Sequence, residues 1–256
     1  MHPDLIAGLP IKTYGFCMAL GFLAAWQVLS WLCRRTGRAA DPLSNLLMLM
    51  LFSGIIGARL EYVREFWERE FASNPLSIFK IWQGGLVFYG GLLGAIAGAF
   101  ITAHYLKRDI REYYPALVPG IAIMAGFGRI GCFLTGCCYG AETSSPIHVV
   151  YPEGGIVPGG IPLVPVQLYE AAFDFILVIV LVILSAKSKG IRPHLLNLYC
   201  LLYAVFRFIL EFWRADSIRG ALGPFSTSQW ISLFLIVCVS VKEVLNTRRK
   251  AENTVS

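Results

Sequence analysis

Seven apolar runs, each about the 20 residues a helix needs to cross a hydrocarbon core, set the frame of this chain. They cover roughly Thr13–Leu32, Leu43–Tyr62, Leu86–Leu106, Tyr114–Leu134, Val166–Ala186, His194–Trp213 and Ser226–Val244. Lipid offers a backbone no water, so such runs must be helices that close their own hydrogen bonds. The expected fold class is an all-α integral membrane protein with seven transmembrane helices in one polytopic domain. Only 15% of the residues are charged, against about a quarter in soluble domains, which argues against a soluble fold of this length.

The basic residues sort by side. The first, third and fifth loops carry Arg34, Arg35, Arg38, Lys107, Arg108, Arg111, Lys187, Lys189 and Arg192, and the C-terminal end carries Lys242, Arg248, Arg249 and Lys250. The opposite loops hold Lys12, Arg64, Arg69, Lys80, Arg214 and Arg219. By the positive-inside rule the N-terminus lies outside and the C-terminus in the cytoplasm. The net charge of +6 then sets topology, and no motif points to nucleic acid. The stretch 137–165 has no Lys or Arg and is rich in Gly and Pro, so it is expected to form a small outer cap with a short strand near His148–Tyr151. Val63–Trp82 is amphipathic and is expected to lie in the membrane interface.

Three arginines fall inside spans: Arg59, Arg129 and Arg207. A charge at mid-span costs about 2.5–3.5 kcal/mol on insertion scales, so it usually faces a bundle interior and a partner. Arg129 sits in Gly126-Phe-Gly-Arg-Ile-Gly-Cys-Phe-Leu-Thr-Gly-Cys-Cys-Tyr-Gly140, whose glycines allow close approach of backbone or ligand. On the sixth span Tyr203, Arg207, Glu211 and Arg214 share one helical face. Several inward arginines with fewer acids suit an anion, and in a membrane that anion is a phospholipid phosphate. The third span carries Gly84, Gly85, Gly90, Gly91, Gly94 and Gly98 around Tyr89. This bare face reads either as close helix packing or as a place where a lipid headgroup meets backbone. Cys132, Cys137 and Cys138 admit a disulfide, plain packing or a thiol poised by Arg129. The C-x₄-C-C spacing is not a familiar zinc pattern, so no metal is expected, and no other cofactor.

In this order and on these spans the motifs resemble the prolipoprotein diacylglyceryl transferase family. The points of likeness are Tyr14-Gly15, Gly57-Ala-Arg59 with Tyr62, the paired glycines 84–85 and 90–91, and Gly128-Arg129-Ile-Gly131 through Gly140. They continue with Gln167-Leu-Tyr-Glu170, then Tyr203, Phe206-Arg207, Glu211, Arg214, Asp216 and Gln229. The resemblance implies a membrane transferase in the bacterial inner membrane. It would move the diacylglyceryl group of phosphatidylglycerol to the lipobox cysteine thiol of a prolipoprotein, giving a thioether and glycerol 1-phosphate. It implies Arg129 and Arg207 as catalytic residues. Tyr14, Arg59, Gly90, Gly91, Tyr203, Glu211 and Arg214 are expected to meet the lipid.

The chain also departs from the family. Tyr89 stands where the family has a histidine proposed to help deprotonate the acceptor thiol, and is expected to take its catalytic place. The family has Asn at Cys132, Glu at Cys137 and usually His at Val164. The lipid-binding half of the site is therefore expected to be kept and the acceptor half altered around Cys132, Cys137, Cys138 and Gly140. Two other readings stand beside this one: a phospholipid-dependent transferase with a different acceptor, and a non-catalytic lipid-binding or transport protein.

Overall fold

The computed structural model describes residues 13–37, 41–81, 84–107, 109–155, 157–188, 190–215 and 221–255. Lys12, Arg38, Trp82, Arg108, Lys189, Asp216 and Arg219 lie outside them. Seven helices follow in order: α1 (Thr13–Thr36), α2 (Asp41–Glu65), α3 (Phe88–Leu106), α4 (Tyr114–Thr135), α5 (Val166–Lys187), α6 (Leu195–Leu210) and α7 (Thr227–Val255). Among the described residues, six stretches are long and apolar enough to cross a membrane: Thr13–Thr36, Leu43–Glu65, Tyr114–Thr135, Val166–Lys187, Arg192–Trp213 and Thr227–Thr247. Leu23, Phe52, Ile56, Ile176 and Phe234 point outward from these helices. An apolar exterior of this kind is stable in lipid and not in water. The chain is a multi-pass, all-helical membrane protein.

Small residues decide which helices touch. The bare face of α3 is filled by α2, where Ser53, Gly54 and Gly57 meet Gly90, Gly91, Gly94 and Gly98. A side chain at Gly57 would collide with the Gly90 carbonyl oxygen and the Gly94 backbone. Gly57→Leu is therefore expected to cost about 1–3 kcal/mol or more, read as a lower thermal midpoint in detergent, because two backbones must part. A similar fit joins α1 to α4, where Gly21 lies under Phe127. On α4, Gly126 admits Phe175 of α5, whose ring meets Phe127 edge-on.

Two apolar cores result. One gathers α1, α2 and α4 around Leu29, Leu32, Leu43, Leu46 and Ile123. The other gathers α4, α5 and α6 around Val118, Leu177, Leu181 and Leu195. At the end of α5, Arg192 donates to the free carbonyl of Ser185 (2.8 Å), a basic cap on a helix C-terminus. Between α4 and α5 a small lobe folds on Tyr151, Val157 and Leu163, with Phe133 and Tyr139 beneath. Its strands β1 (Val149–Val150) and β2 (Pro162–Leu163) pair antiparallel, Val149 opposite Leu163. The strand expected near 148–151 is β1. A second short pair, β3 (Ala221–Leu222) with β4 (Phe225–Ser226), leads into α7.

The segment expected to lie flat after α2 is broken into two short helical turns, Trp67–Phe71 and Pro75–Phe79. Phe71 turns inward, while Leu76 and Phe79 remain exposed.

Candidate active site

Arg129 owes its position to the end of α4. Gly136 adopts a left-handed conformation (φ 69°), and its N–H closes on Cys132 and Phe133. Only a residue without a side chain takes that conformation freely, so the helix stops there. Arg129 is left within two turns of the end. Tyr14 of α1 lies across the glycines that flank it, and a Cβ on Gly131 would come within 2.9 Å of its ring.

Glu170 reaches the same point from α5, which starts at Val166 after Pro165. Gln167, Glu170 and Asp174 share one helical face, and all three are buried. Arg207 comes from the last turn of α6, and the helix then tightens into a 3₁₀ turn, Glu211–Trp213. That turn carries Glu211 and delivers Arg214 in extended backbone, where it bridges to Gly140. A side chain at Gly140 would strike the backbone of Val164, so glycine is required for the two strands of chain to meet.

These elements bring three guanidinium groups onto two carboxylates. Glu170 lies 2.9 Å from Arg129, 3.8 Å from Arg207 and 3.5 Å from Arg214. Glu211 lies 2.5 Å from Arg207 and 3.9 Å from Arg214. Tyr203 donates to Glu170 (3.4 Å), Ser226 donates to Glu211 (2.8 Å) and Arg207 donates to Ser228 at the start of α7 (3.3 Å). The Glu170 side chain is 0% exposed, those of Arg214 and Arg207 3% and 7%, and that of Arg129 20%. Burying the five ions is expensive and is offset only by their pairing. Asp174, fully buried one turn along α5, acts on Glu170 and Arg129 electrostatically, and Arg129 is the most accessible cation of the cluster. Such a site is built for an anion arriving beside Arg129.

A sequence profile described as prolipoprotein diacylglyceryl transferase matches residues 4–243. The chain belongs to the prolipoprotein diacylglyceryl transferase family. It is 38% identical over 234 residues to the phosphatidylglycerol–prolipoprotein diacylglyceryl transferase 2 of Clostridium perfringens, covering 91% of this chain and 90% of that one. The corresponding enzyme of Clostridium tetani is 37% identical over 239 residues, 93% of this chain and 94% of the relative. That of Geobacter sulfurreducens is 33% identical over 248 residues, 94% and 93% respectively.

Within this member of the transferase family, the expected site residues fall into two groups. Arg129, Arg207, Tyr203, Glu211 and Arg214 are brought together, with Tyr14 packed beside Arg129. Arg129 and Arg207 also share a protein anion that was not among the expected site residues, Glu170. Its signal was present in the sequence, since Glu170 and Asp174 are acids inside a long apolar run. Gln167 is the other addition.

The second group lies on α2 and α3. Arg59 spends its guanidinium on four carbonyls, those of Ser77, Ile78, Gly84 and Gly85, at 2.8–3.0 Å. It fastens the α2–α3 connection, with Tyr62 and Phe71 against its charge. Gly90 and Gly91 face α2 rather than open space. Tyr89 is 58% exposed at the start of α3.

The thiol loop lies against the arginine cluster. The side chain of Gln167 donates to the Cys137 carbonyl (2.7 Å) and to the Tyr151 hydroxyl (3.1 Å), tying loop, α5 and the small lobe together. Cys138 is held in left-handed backbone (φ 58°), unusual for a residue with a side chain. Its thiol is drawn below the ordinary range by hydrogen bonds from Cys132 and Cys137, assisted by the charges of Arg214 and Arg129. The sulfur atoms of Cys132, Cys137 and Cys138 all lie within 4.8 Å of one another. The C-x₄-C-C spacing does not suggest this, because it depends on the reversal at Gly136.

Proposed function

We propose that the family's reaction runs here at the Arg129–Glu170–Arg207 cluster. Membership makes the chain a transferase that moves the diacylglyceryl group of phosphatidylglycerol to a prolipoprotein cysteine. The acceptor thiolate attacks the glycerol carbon that carries the phosphate ester. A carbon–sulfur bond forms, the carbon–oxygen bond breaks, and its electron pair leaves on the phosphate as glycerol 1-phosphate. Charge builds up on that phosphate, so the cations facing it must bind it better in the transition state than before. Arg129 takes the phosphate directly. Arg207 and Arg214 hold the field from behind through Glu170 and Glu211. Tyr14 and Tyr203 border the headgroup.

The observation that carries this reading is the convergence of three arginines on Glu170, with Arg129 the most accessible of them. Around the cluster we read α3, 19 residues long, as a seventh span beside α2. The basic loops then put the N-terminus outside, the C-terminus in the cytoplasm and the 137–165 lobe over the outer end of the site. A bacterial inner membrane and a lipobox-bearing precursor on its outer face fit that orientation.

The test supplies purified protein with phosphatidylglycerol vesicles and a lipobox peptide, and weighs the peptide. The expected product carries one diacylglyceryl group, forms in proportion to glycerol phosphate, and is absent with phosphatidylcholine or a Cys→Ser peptide. Lipid turnover that leaves the peptide unchanged would move the acceptor elsewhere. Lipid binding without turnover would contradict the transferase reading.

A further inference from the structure

The three-sulfur cluster calls for a role. Whatever disulfide formed between two of Cys132, Cys137 and Cys138, a third thiol would be left beside it, and none of the three is in a disulfide in the structure. A thiophilic cation uses all of them. Tetrahedral zinc with sulfur at about 2.3 Å needs its sulfurs about 3.8 Å apart, and sulfurs already within 4.8 Å reach that by small side-chain rotations. The surroundings are those of a ligand shell. Cys132 is fixed in the last turns of α4, Thr135 lies 3.6 Å from the Cys137 sulfur, and Gln167 holds the Cys137 backbone from α5. Cys138 holds a backbone conformation that side chains rarely adopt, a strain that persists only where surrounding structure imposes it.

Charge favours the same occupant. Three thiolates and one Zn²⁺ leave one net negative charge, and both Arg129 and Arg214 act electrostatically on this loop. Three protein ligands leave the fourth position of zinc open, as in catalytic rather than structural sites.

We propose that Cys132, Cys137 and Cys138 bind Zn²⁺ and that its fourth position takes the acceptor cysteine thiol. This rests on the transferase reading and gives the acceptor thiol a way to lose its proton that does not depend on Tyr89. Coordination deprotonates a thiol outright, and the proton passes to solvent. The zinc-held sulfur then lies next to the arginine cluster that holds the phosphate. On attack the sulfur becomes a neutral thioether, a poor zinc ligand, and the product leaves. The step needs no oxidant or reductant, and the metal returns unaltered.

The test uses the full chain in phosphatidylglycerol micelles. Elemental analysis is expected to find about one zinc per chain, lost in the Cys132→Ser/Cys137→Ser/Cys138→Ser variant and reduced at least about tenfold in affinity in Cys138→Ser. Cobalt exchanged into the wild-type chain is expected to show sulfur-to-metal charge transfer, and adding the lipobox peptide should shift its visible bands while the Cys→Ser peptide should not. This readout needs no variant to fold and no turnover. Protein that modifies the peptide without zinc would overturn the metal site and leave the transferase reading standing. A disulfide, seen as a mass lower by two hydrogens, would also overturn it. Cobalt bands indifferent to the peptide would overturn the role of the fourth position. Bands that respond in a protein that never forms the adduct would uphold the site and overturn the transferase reading.

Discussion

Arg129→Ala is expected to lower the rate of peptide modification by about 10²–10³-fold, the usual loss when a charge-stabilising donor is removed from an active site. The chain should still fold. Its side chain is the least buried of the three arginines, and after its removal Glu170 and Glu211 keep Arg207 and Arg214 as partners. Arg129→Lys keeps the charge but loses the planar fork, so it should fall between wild type and alanine. The measurement is the initial rate of lipopeptide formation at saturating phosphatidylglycerol, paired with the thermal midpoint in detergent. A rate within about tenfold of wild type, in a chain of unchanged midpoint, would remove Arg129 from the chemistry.

Glu170→Ala should act in the opposite way, on the fold first. Glu170 is fully buried and is the one acid that all three arginines share. Without it Arg129 loses its ion-pair partner, and Arg207 and Arg214 are left to share Glu211. Breaking a buried ion network from one side costs about 3–5 kcal/mol, because the remaining charges stay desolvated and unpaired. The expected result is a thermal midpoint lowered by several degrees or loss of monodisperse protein. Glu170→Gln should be nearly as damaging, since it keeps a hydrogen-bonding shape but not the charge. The double variant Glu170→Ala/Arg129→Ala should recover part of the stability, because one orphaned cation is gone. Strict additivity of the two single effects would mean that the two residues do not interact.

How much of this could be read before the structure depended on the range of the cause. The spans, Arg129 and the face of Tyr203, Arg207, Glu211 and Arg214 follow from local composition and helical period, and the structure gathers these residues. The partner Glu170 is set by how α5 packs on α4 and α6, which no local pattern states. Its neighbour Asp174 on the same face marked the helix as a polar one. The glycines of α3 allowed two meanings, and helix packing took the space at Gly90 and Gly91. Arg59 was a mid-span charge like Arg129, but the chain returns past it at Ser77, Ile78, Gly84 and Gly85, and those carbonyls occupy it. The thiol cluster was hidden for a similar reason. Cys132 lies in the last turn of a helix while Cys137 and Cys138 follow a left-handed glycine, so residues up to six apart in sequence become one site.

The proposed reaction places the lipid phosphate at the α4–α5–α6 cluster and not on the glycine face of α3. A short-chain phosphatidylglycerol with a photoreactive group on its headgroup glycerol tests it most directly. Irradiated with the purified chain, it should label residues within 126–140 and 203–214, with labelling competed by unmodified phosphatidylglycerol and weakened in Arg129→Ala. Labelling centred on Gly57, Tyr89, Gly90 and Gly91, unchanged by that substitution, would contradict it.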